Sequence, residues 1–536
     1  MPEMREAVIV DAVRTPFGTA NKERGFLREV RSDDMGVAVL EEVVRRTGVD
    51  PAEVDEVILG AVEQLGEQAH PGRNCAVLAR FPYEVPGLSV ERACVTAMSS
   101  VQVAALSIMA GMGDIYIAGG IDSMTHIALP VVTPDTDFEA LLKEENTMLS
   151  AMNPNPRMYG SLNPLELVGG ITAEKLSREY SITREEMDRW AVMSNLRAVE
   201  AQKGGLFKQE IVPILALDRE GREFTLDYDQ GPRANSTYEK VSTLPTPFMP
   251  KGGTITAAAA SGASDGAAVC MVMSKQKARE KGLKPFATIR GMGVAGCDPT
   301  IMGYSVVPAT HKALRMIGMK IEEIELIEIN EAFACVPIVF MKEFGIESPD
   351  IINVNGGACA IGHPVGATGA RLIGTLAYEM GRRGLRWGLA TICGGYGQGG
   401  TTILEREDYD WGEYRNPEPR QEEAKSMAVT SPKEFMDTVL VQKLSDPEKL
   451  KGLDITLQFD IGGEQGGKWA LTIKDQKVEL SEGTIENPKI TLKMKDVDYV
   501  KLVNNELSGQ KAFMSGKLKF KGDMNAGMKL QKLGII

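Results

Sequence analysis

The 536-residue chain has little histidine and little tryptophan, four of each, and an aromatic share of only 6%. Its seven cysteines are an odd number at irregular spacing with no C-x-x-C pair. That excludes a disulfide framework and a zinc ribbon, and it fits thiols kept reduced. No apolar run approaches the ~20 residues that a membrane helix needs. An excess of positive charge is missing as well. The net charge is −13, which speaks against nucleic acid as a general partner, because phosphate binding needs clustered Lys and Arg. The opening "MPEMREAVIVDAVRTPFG" places acids ahead of a strand-like run and does not read as a secretory signal. The closing "KLGII" is not an address of the Ser-Lys-Leu kind, so the cytoplasm is the expected location.

What is present describes a globular protein of more than one domain: 43% hydrophobic, 25% charged, and too long for one core. Residues 405–430, beginning "EREDYDWGEYRNPEPRQEEAK", are charged, carry proline and show no apolar period, which reads as a linker. Beyond it, residues 431–536 contain no Arg, Cys or His, and 17 Lys stand against 15 Asp and Glu, so the acidity belongs to the first part. A separate C-terminal module follows.

The first part holds a repeat. "VDPAEVDEVILGAVEQ" from Val49 aligns with "MKIEEIELIEINEAFA" from Met319 at an offset of 270. "GLSVERACVTAMSSVQVAALSIMAGMGDIYIAGG" likewise parallels "DIINVNGGACAIGHPVGATGARLIGTLAYEMGRRGLRWGLATICGG". Each copy reads as strand, small-residue turn, apolar helix, glycine break and buried strand. Alternating strands and helices imply an α/β fold with two largely parallel sheets covered on both faces and related by a pseudo-dyad. The halves are expected at 1–275 and 276–404. Ligands of such sheets gather at the C-terminal ends of the strands.

Three strand ends carry reactive side chains. Cys94 is expected to open a helix starting near Met98, where the positive end of the helix dipole lowers a thiol pKa; a buried small hydrophobe is the alternative. Cys393 ends "WGLATI" and enters "CGGYGQGG", whose backbone N–H groups can cradle an oxyanion; core packing is its alternative. Asn330 ends "LIEIN" and is also a candidate helix cap. His363 stands in "NVNGGACAIGHPVGATGAR", a loop with five glycines and a proline directly after the histidine. Those residues restrict the backbone and suit one fixed imidazole. Cys75, Cys270, Cys297, Cys335 and Cys359 lie in apolar or irregular surroundings and read as structural.

Together the segments resemble one family. "RACVTAMSS", "TITAAAASGASDGAA", "NEAFA", "GGACAIGHPVGATGAR" and "CGGYGQGG", in that order, resemble the motifs of the thiolases, over roughly Arg5 to Leu404. The resemblance implies a five-layered αβαβα fold and carbon–carbon cleavage of a 3-ketoacyl thioester, or the reverse condensation. It implies Cys94 as nucleophile, His363 as its base, and His363 with an Asn330-held water around the enolate oxygen. Cys393 would protonate the enolate carbon. The second oxyanion site would use the backbone N–H groups of Cys94 and Gly395, and Ser261 would contact coenzyme A. Coenzyme A is then a substrate, with no metal and no other cofactor, and the expected assembly is a homodimer or homotetramer. Ketoacyl and hydroxymethylglutaryl-CoA synthases share the fold, but replace the second cysteine with histidine or use a glutamate base.

Some positions depart from the family. Tyr396 interrupts the glycine run, "C-V-T-A" replaces the commoner "C-S-S-G", and Ala259 stands where asparagine is frequent. Val168 and Gly169 replace the "His-Met" of short-chain acetoacetyl-CoA members, which favours a longer acyl chain. Residues 431–536, with "ITLQFDIGGEQGGKWALTIKDQKVEL" and "QKAFMSGKLKFKGDM", resemble the sterol carrier protein-2 domain, an α+β module that binds lipids and acyl-CoA. Met514, Met524 and Met528 there either fill a core or line a ligand. The expected function is an acyl-CoA thiolase with an appended lipid carrier; the alternatives are a short-chain acetoacetyl-CoA thiolase and a lipid-transfer protein on a thiolase scaffold.

Overall fold

A computed structural model describes residues 5–127, 164–407 and 429–522, apart from 441–443, 445–453, 475, 505–506, 508–511 and 513–514. Most of the linker, the three methionines Met514, Met524 and Met528, and the terminal segment therefore lie outside the described residues. The chain divides into two compact units, Met1–Pro419 and Arg420–Ile536.

In the first unit nine strands pair in one hydrogen-bonded path. They are β1 (Ala7–Arg14), β2 (Glu56–Gly60), β3 (Gly87–Val90), β4 (Ile115–Ser123), β5 (Ser264–Ser274), β6 (Ala287–Gly296), β7 (Leu326–Ile329), β8 (Trp387–Gly394) and β9 (Gln398–Glu405). Their order is β7–β8–β9–β6–β1–β5–β4–β2–β3. Read outward from the centre the order is symmetric: β1 matches β6, β5 matches β9, β4 matches β8 and β2 matches β7. Even the pairing of β2 with β3 has a counterpart, a parallel bridge from Ile327 to Ile352. The repeat is thus visible in the hydrogen bonding.

Two expectations change. The two sheets are joined, because β1 and β6 share the antiparallel pairs Val8–Thr288 and Ile9–Ala287. They are also mixed rather than largely parallel: β2 runs parallel to β3 and β4, and β7 to β8, but β5 and β9 return antiparallel. A three-residue turn, Gly395–Gly397, forces the reversal between β8 and β9.

Layering follows from which helices bury which faces. Helix α1 (Ser32–Thr47) and helix α2 (Pro71–Leu78) cover the outer face of the N-terminal half. Helix α4 (Gly169–Glu179), α5 (Arg184–Lys203), α6 (Val306–Ile317) and α7 (Cys335–Phe344) belong with the C-terminal half, and residues of all four but α5's distal turns enter its core. Between the halves lie α3 (Thr96–Met109) and α8 (Thr368–Arg383), both largely buried: α3 is mostly apolar, whereas α8 buries Arg371 and Glu379 along with its apolar side chains. Their N-termini nearly touch: a Cβ added at Gly369 would stand 2.3 Å from the Met98 backbone nitrogen. The loop before α3 carries Cys94 and the loop before α8 carries His363, so this contact gathers the two halves' reactive loops.

The second unit has a five-stranded sheet. Strands β10 (Ile455–Gly462), β11 (Gly467–Lys474), β12 (Lys477–Glu482), β13 (Ile490–Lys495) and β14 (Lys519–Gly522) lie in the order β12–β11–β10–β13–β14. Helix α9 (Asp496–Val503) packs Tyr499 edge-on to Phe435 and Phe459 in an apolar core with Trp469. Among the described residues no helix is long and apolar enough to cross a membrane.

Candidate active site

Cys94 follows a sharp backbone elbow. Ala93 takes a left-handed φ of 45°, uncommon for a residue with a Cβ, and turns the chain from β3 into α3. Arg92 braces the elbow, its N–H donating to Thr96 Oγ1 at 2.8 Å and its Nη1 to Ser99 Oγ at 2.9 Å. The helix starts at Thr96, two residues beyond the cysteine, rather than near Met98. The backbone N–H groups of Gly395 and of Cys94 itself reach the sulfur and favour thiolate, yet burial prevails and lifts the thiol to about 11. The expected lowering by the helix dipole is therefore reversed. Desolvation of a charged sulfur outweighs the partial charges of one helix end.

His363 is fixed from both sides of its ring. Its N–H lies 3.1 Å from Gly262 O and 3.1 Å from Ser264 Oγ, its Nδ1 is 2.7 Å from Thr368 Oγ1, and its Nε2 is 3.3 Å from Asn330 Nδ2. Gly362 makes this possible with φ of 104°, and a Cβ there would fall 2.2 Å from Ser264 Oγ. Burial, reinforced by the Arg371 guanidinium, pushes the imidazole down to about 3. Arg371 pairs with Glu328 at 3.0 Å, both buried, but burial lifts Glu328 to about 8. Arg371 Nε and Nη2 have no hydrogen-bond partner among the described residues.

Asn330 caps no helix, because α7 begins five residues on. It follows β7, where its N–H donates to Thr391 O at 3.0 Å, and its side chain turns to His363. Its neighbour Glu331 accepts from Trp190 Nε1, Ser194 Oγ, Asn353 Nδ2 and Cys359 N within 2.7–3.0 Å. That carboxylate ties the "NEAFA" segment to α5 and to the histidine loop. From the other half, Asp122 at the end of β4 accepts from Gly366 N–H and from Gln68 Nε2, and burial lifts it to about 7.

Cys393 lies inside β8, opposite Gly399 of β9, fully buried. Burial raises its thiol well above the ordinary value, and the Cys94 sulfur adds to the effect. Burial thus favours the protonated thiol at Cys393, as it does at Cys94. Gly395 follows at the turn, and Tyr396 holds a left-handed φ of 62° where the glycine run is interrupted. Ser261 is half-buried, with its N–H on Ala332 O at 3.0 Å. Its side chain does not line the adjoining cavity of about 220 Å³, although Ala260 and Gly262 do. Arg233, Lys240 and Cys359 also line that cavity. Among the described residues no cluster of His, Cys, Asp or Glu could hold a metal ion.

The structure thus places Cys94 beside Gly395 and Cys393, and His363 beside Asn330; the two loops lead into α3 and α8, whose first turns meet at Met98 and Gly369. Sequence reading passed over Thr368, Arg371 and Glu331, though all three stand inside the quoted motifs. It also passed over Arg233 and Lys240, whose segment "GPRANSTYEK" has neither periodicity nor a chemical pattern to mark it.

The comparisons agree with this architecture. Residues 7–276 match the thiolase N-terminal domain, residues 283–406 the thiolase C-terminal domain, and residues 436–534 the SCP-2 sterol transfer family. A 3-ketoacyl-CoA thiolase of Saccharophagus degradans is 40% identical over 406 residues, which is 75% of this chain and 98% of that protein. One of Acinetobacter baumannii is 40% identical over 404 residues, again 75% and 98%. Among solved structures, the Bacillus anthracis acetyl-CoA acetyltransferase superposes with TM-score 0.67 at 38% identity, covering 76% of this chain and all of its own. Human mitochondrial 3-ketoacyl-CoA thiolase gives 0.65 at 31%, covering 75% and 98%. The chain therefore belongs to the thiolase family, with a domain of the SCP-2 sterol transfer family following its two thiolase domains.

Proposed function

We propose that the chain is a 3-ketoacyl-CoA thiolase that transfers an acyl group through Cys94 to coenzyme A. The observation that carries this reading is the placement of its groups: Cys94 with the Gly395 N–H on its sulfur and Cys393 beside it, and His363 held through its ring by Asn330 and Thr368. Burial disfavours the charged form of each, so proton transfer is read as accompanying attack. As Cys94 sulfur bonds to the keto carbon, its proton passes to His363 Nε2, and the new oxyanion meets the N–H groups of Cys94 and Gly395. The carbon–carbon bond then breaks, its electron pair leaving as the enolate of acetyl-CoA, stabilised by His363 and by Asn330 through a water. Cys393 delivers the proton to the enolate carbon. Coenzyme A finally attacks acyl-Cys94, its thiol proton passing to the Cys393 thiolate; the carbon–sulfur bond to Cys94 breaks, Cys94 takes its proton back from His363, and the shortened acyl-CoA leaves. Arg233 and Lys240 beside the cavity suit the phosphates of coenzyme A, near Ser261.

Gly169 packs closely on Met302 and Phe333. Chain length is read from the sequence, where Val168 and Gly169 are smaller than the His-Met of short-chain acetoacetyl-CoA members. That favours acyl chains longer than acetoacetyl. The second unit is read as a carrier of lipid or acyl-CoA, and two observations support it: Tyr499 Oη and Trp469 Nε1 are buried without a hydrogen-bond partner among the described residues. An oxygen-bearing lipid would satisfy both. The assembly is read as a homo-oligomer in the cytoplasm.

The test is thiolysis of 3-ketoacyl-CoA substrates from four carbons upward, with mass spectrometry of the enzyme after mixing with acyl-CoA. The expected result is an acyl adduct on Cys94, absent in Cys94→Ala, with turnover highest above four carbons. An adduct on Cys393 would reverse the two cysteines' roles, and activity confined to acetoacetyl-CoA would replace the long-chain reading by the short-chain one.

A further inference from the structure

The hydrogen bonds at His363 fix more than the position of the ring. Thr368 has one hydroxyl hydrogen, and it donates that hydrogen to Pro364 O at 2.7 Å. The same oxygen lies 2.7 Å from Nδ1 of His363. A hydroxyl that gives its hydrogen to Pro364 O accepts here, which assigns the ring hydrogen to Nδ1. In a neutral imidazole Nε2 is then the bare nitrogen, and it faces Asn330 Nδ2 at 3.3 Å.

We propose that Thr368 is the positioning residue that sets the tautomer of His363, holding the hydrogen on Nδ1 so that Nε2 can take the Cys94 proton. The proposal rests on the reading of His363 as base and deepens it by naming what keeps the lone pair on the working nitrogen. Backbone contacts alone do not do this. The His363 N–H on Gly262 O and Ser264 Oγ and the left-handed Gly362 hold the residue in place, but neither touches the ring.

The opposite tautomer has a partner waiting. Asn330 Oδ1 is buried and has no hydrogen-bond partner among the described residues. Without the Thr368 hydroxyl, Nδ1–H would be a buried donor with no acceptor, a state that buried polar groups avoid. A hydrogen on Nε2 could instead go to Oδ1 once the Asn330 amide rotates. The ring would then present N–H where the reaction needs a lone pair. Loss of one hydroxyl is therefore expected to switch the base, rather than merely loosen it. Arg371, one turn along α8, adds to the same control by keeping the ring neutral, because an imidazolium would carry hydrogens on both nitrogens.

Only four histidines are present in the full chain, so ring nitrogen-15 spectra of the whole enzyme are readable. The wild type is expected to show His363 protonated at Nδ1 and bare at Nε2 near neutral pH; the reverse pattern overturns the proposal outright. Thr368→Val keeps the side-chain shape without the hydroxyl. It is expected to move the hydrogen to Nε2 and to slow acylation of Cys94 by on the order of 10² to 10⁴, between the worth of a general base and the cost of a wrong tautomer. KM should change by less than about threefold, since the step lost is chemical. Thr368→Ser should restore both tautomer and rate. A slow Thr368→Val with the hydrogen still on Nδ1, or a Ser variant that fails to restore the rate, assigns Thr368 to packing and sinks the proposal. Should Thr368→Val fail to fold, the wild-type spectrum and the Ser variant still decide. A His363→Asn variant that acylates at the wild-type rate would instead remove the base reading itself, an outcome distinct from the others.

Discussion

Cys94 at about 11 and His363 at about 3 are both shifted by burial against the charged form. The consequence for pH is definite. With its pKa near 3 rather than the ordinary 6.5, His363 is already neutral throughout the working range. Acylation of Cys94, measured in a single turnover, is therefore expected to show no acid limb near 6.5 from His363. A limb at that pH would show that the resting imidazole titrates normally. The same shift acts on stability in a fixed direction. The unfolded chain takes up the His363 proton first, so the contribution is complete above 6.5 and is lost as pH falls toward 3. Cys393 offers a second test. If it supplies the proton to the enolate carbon, Cys393→Ser leaves acylation from acyl-CoA intact and slows cleavage of a 3-ketoacyl-CoA by on the order of 10² to 10⁴. Equal loss in both half-reactions would remove that role.

At the scale of elements, the repeat was legible because each copy preserves strand, turn, buried helix and strand at one offset. The four reactive side chains were legible because each stands in or beside a glycine-rich or small-residue stretch. Asn330 and Cys393 come at the end of an apolar strand, Cys94 after β3 and His363 in its glycine loop. What the sequence did not disclose is what depends on pairing across the fold. Strand direction is one example: β5 is as apolar as the strands beside it and β9 is buried although it reads QGGTTILE, and only their pairing shows that they run antiparallel. The raised Cys94 thiol is another, since burial by the opposite half is invisible in "RACVTAMSS". Thr368 and Arg371 were in plain view, but nothing in the sequence marks that these polar groups are buried. The edge of the sheet yields a prediction at this scale. Among the described residues β3 is paired on one side only, by β2, and Leu88 on it is exposed together with Val77, Leu78 and Tyr83 nearby. An open edge beside exposed apolar side chains suits antiparallel pairing with a second copy. Leu88→Lys is expected to shift the enzyme to monomer in sedimentation, and activity should fall with it, because β3 leads directly into the Ala93 elbow. Unchanged sedimentation would move the interface elsewhere.

At the scale of the whole molecule, the two units have separate hydrophobic cores and separate sheets. The segment joining them is charged and has no apolar pattern in its sequence, so it is read as a tether. Every group of the candidate active site lies before Thr401. Truncation after Glu423 should therefore leave an active thiolase, and the removed piece should fold alone around Phe435, Phe459, Trp469 and Tyr499. Tethering would matter for substrates that the second unit holds. A lipid-bound acyl-CoA kept within reach of Cys94 reacts at an effective concentration set by the tether rather than by the bulk solution. Short-chain substrates, too small to fill an apolar carrier, gain nothing from it. The truncated enzyme is thus expected to keep its short-chain turnover while its apparent KM rises for long-chain substrates, and adding the free C-terminal piece should not restore it. The measurement is a chain-length series of KM and kcat for full-length, truncated and mixed proteins. A loss equal at every chain length would assign the second unit a structural role. Recovery with the separate piece would show that it works as a free carrier, with the tether contributing nothing.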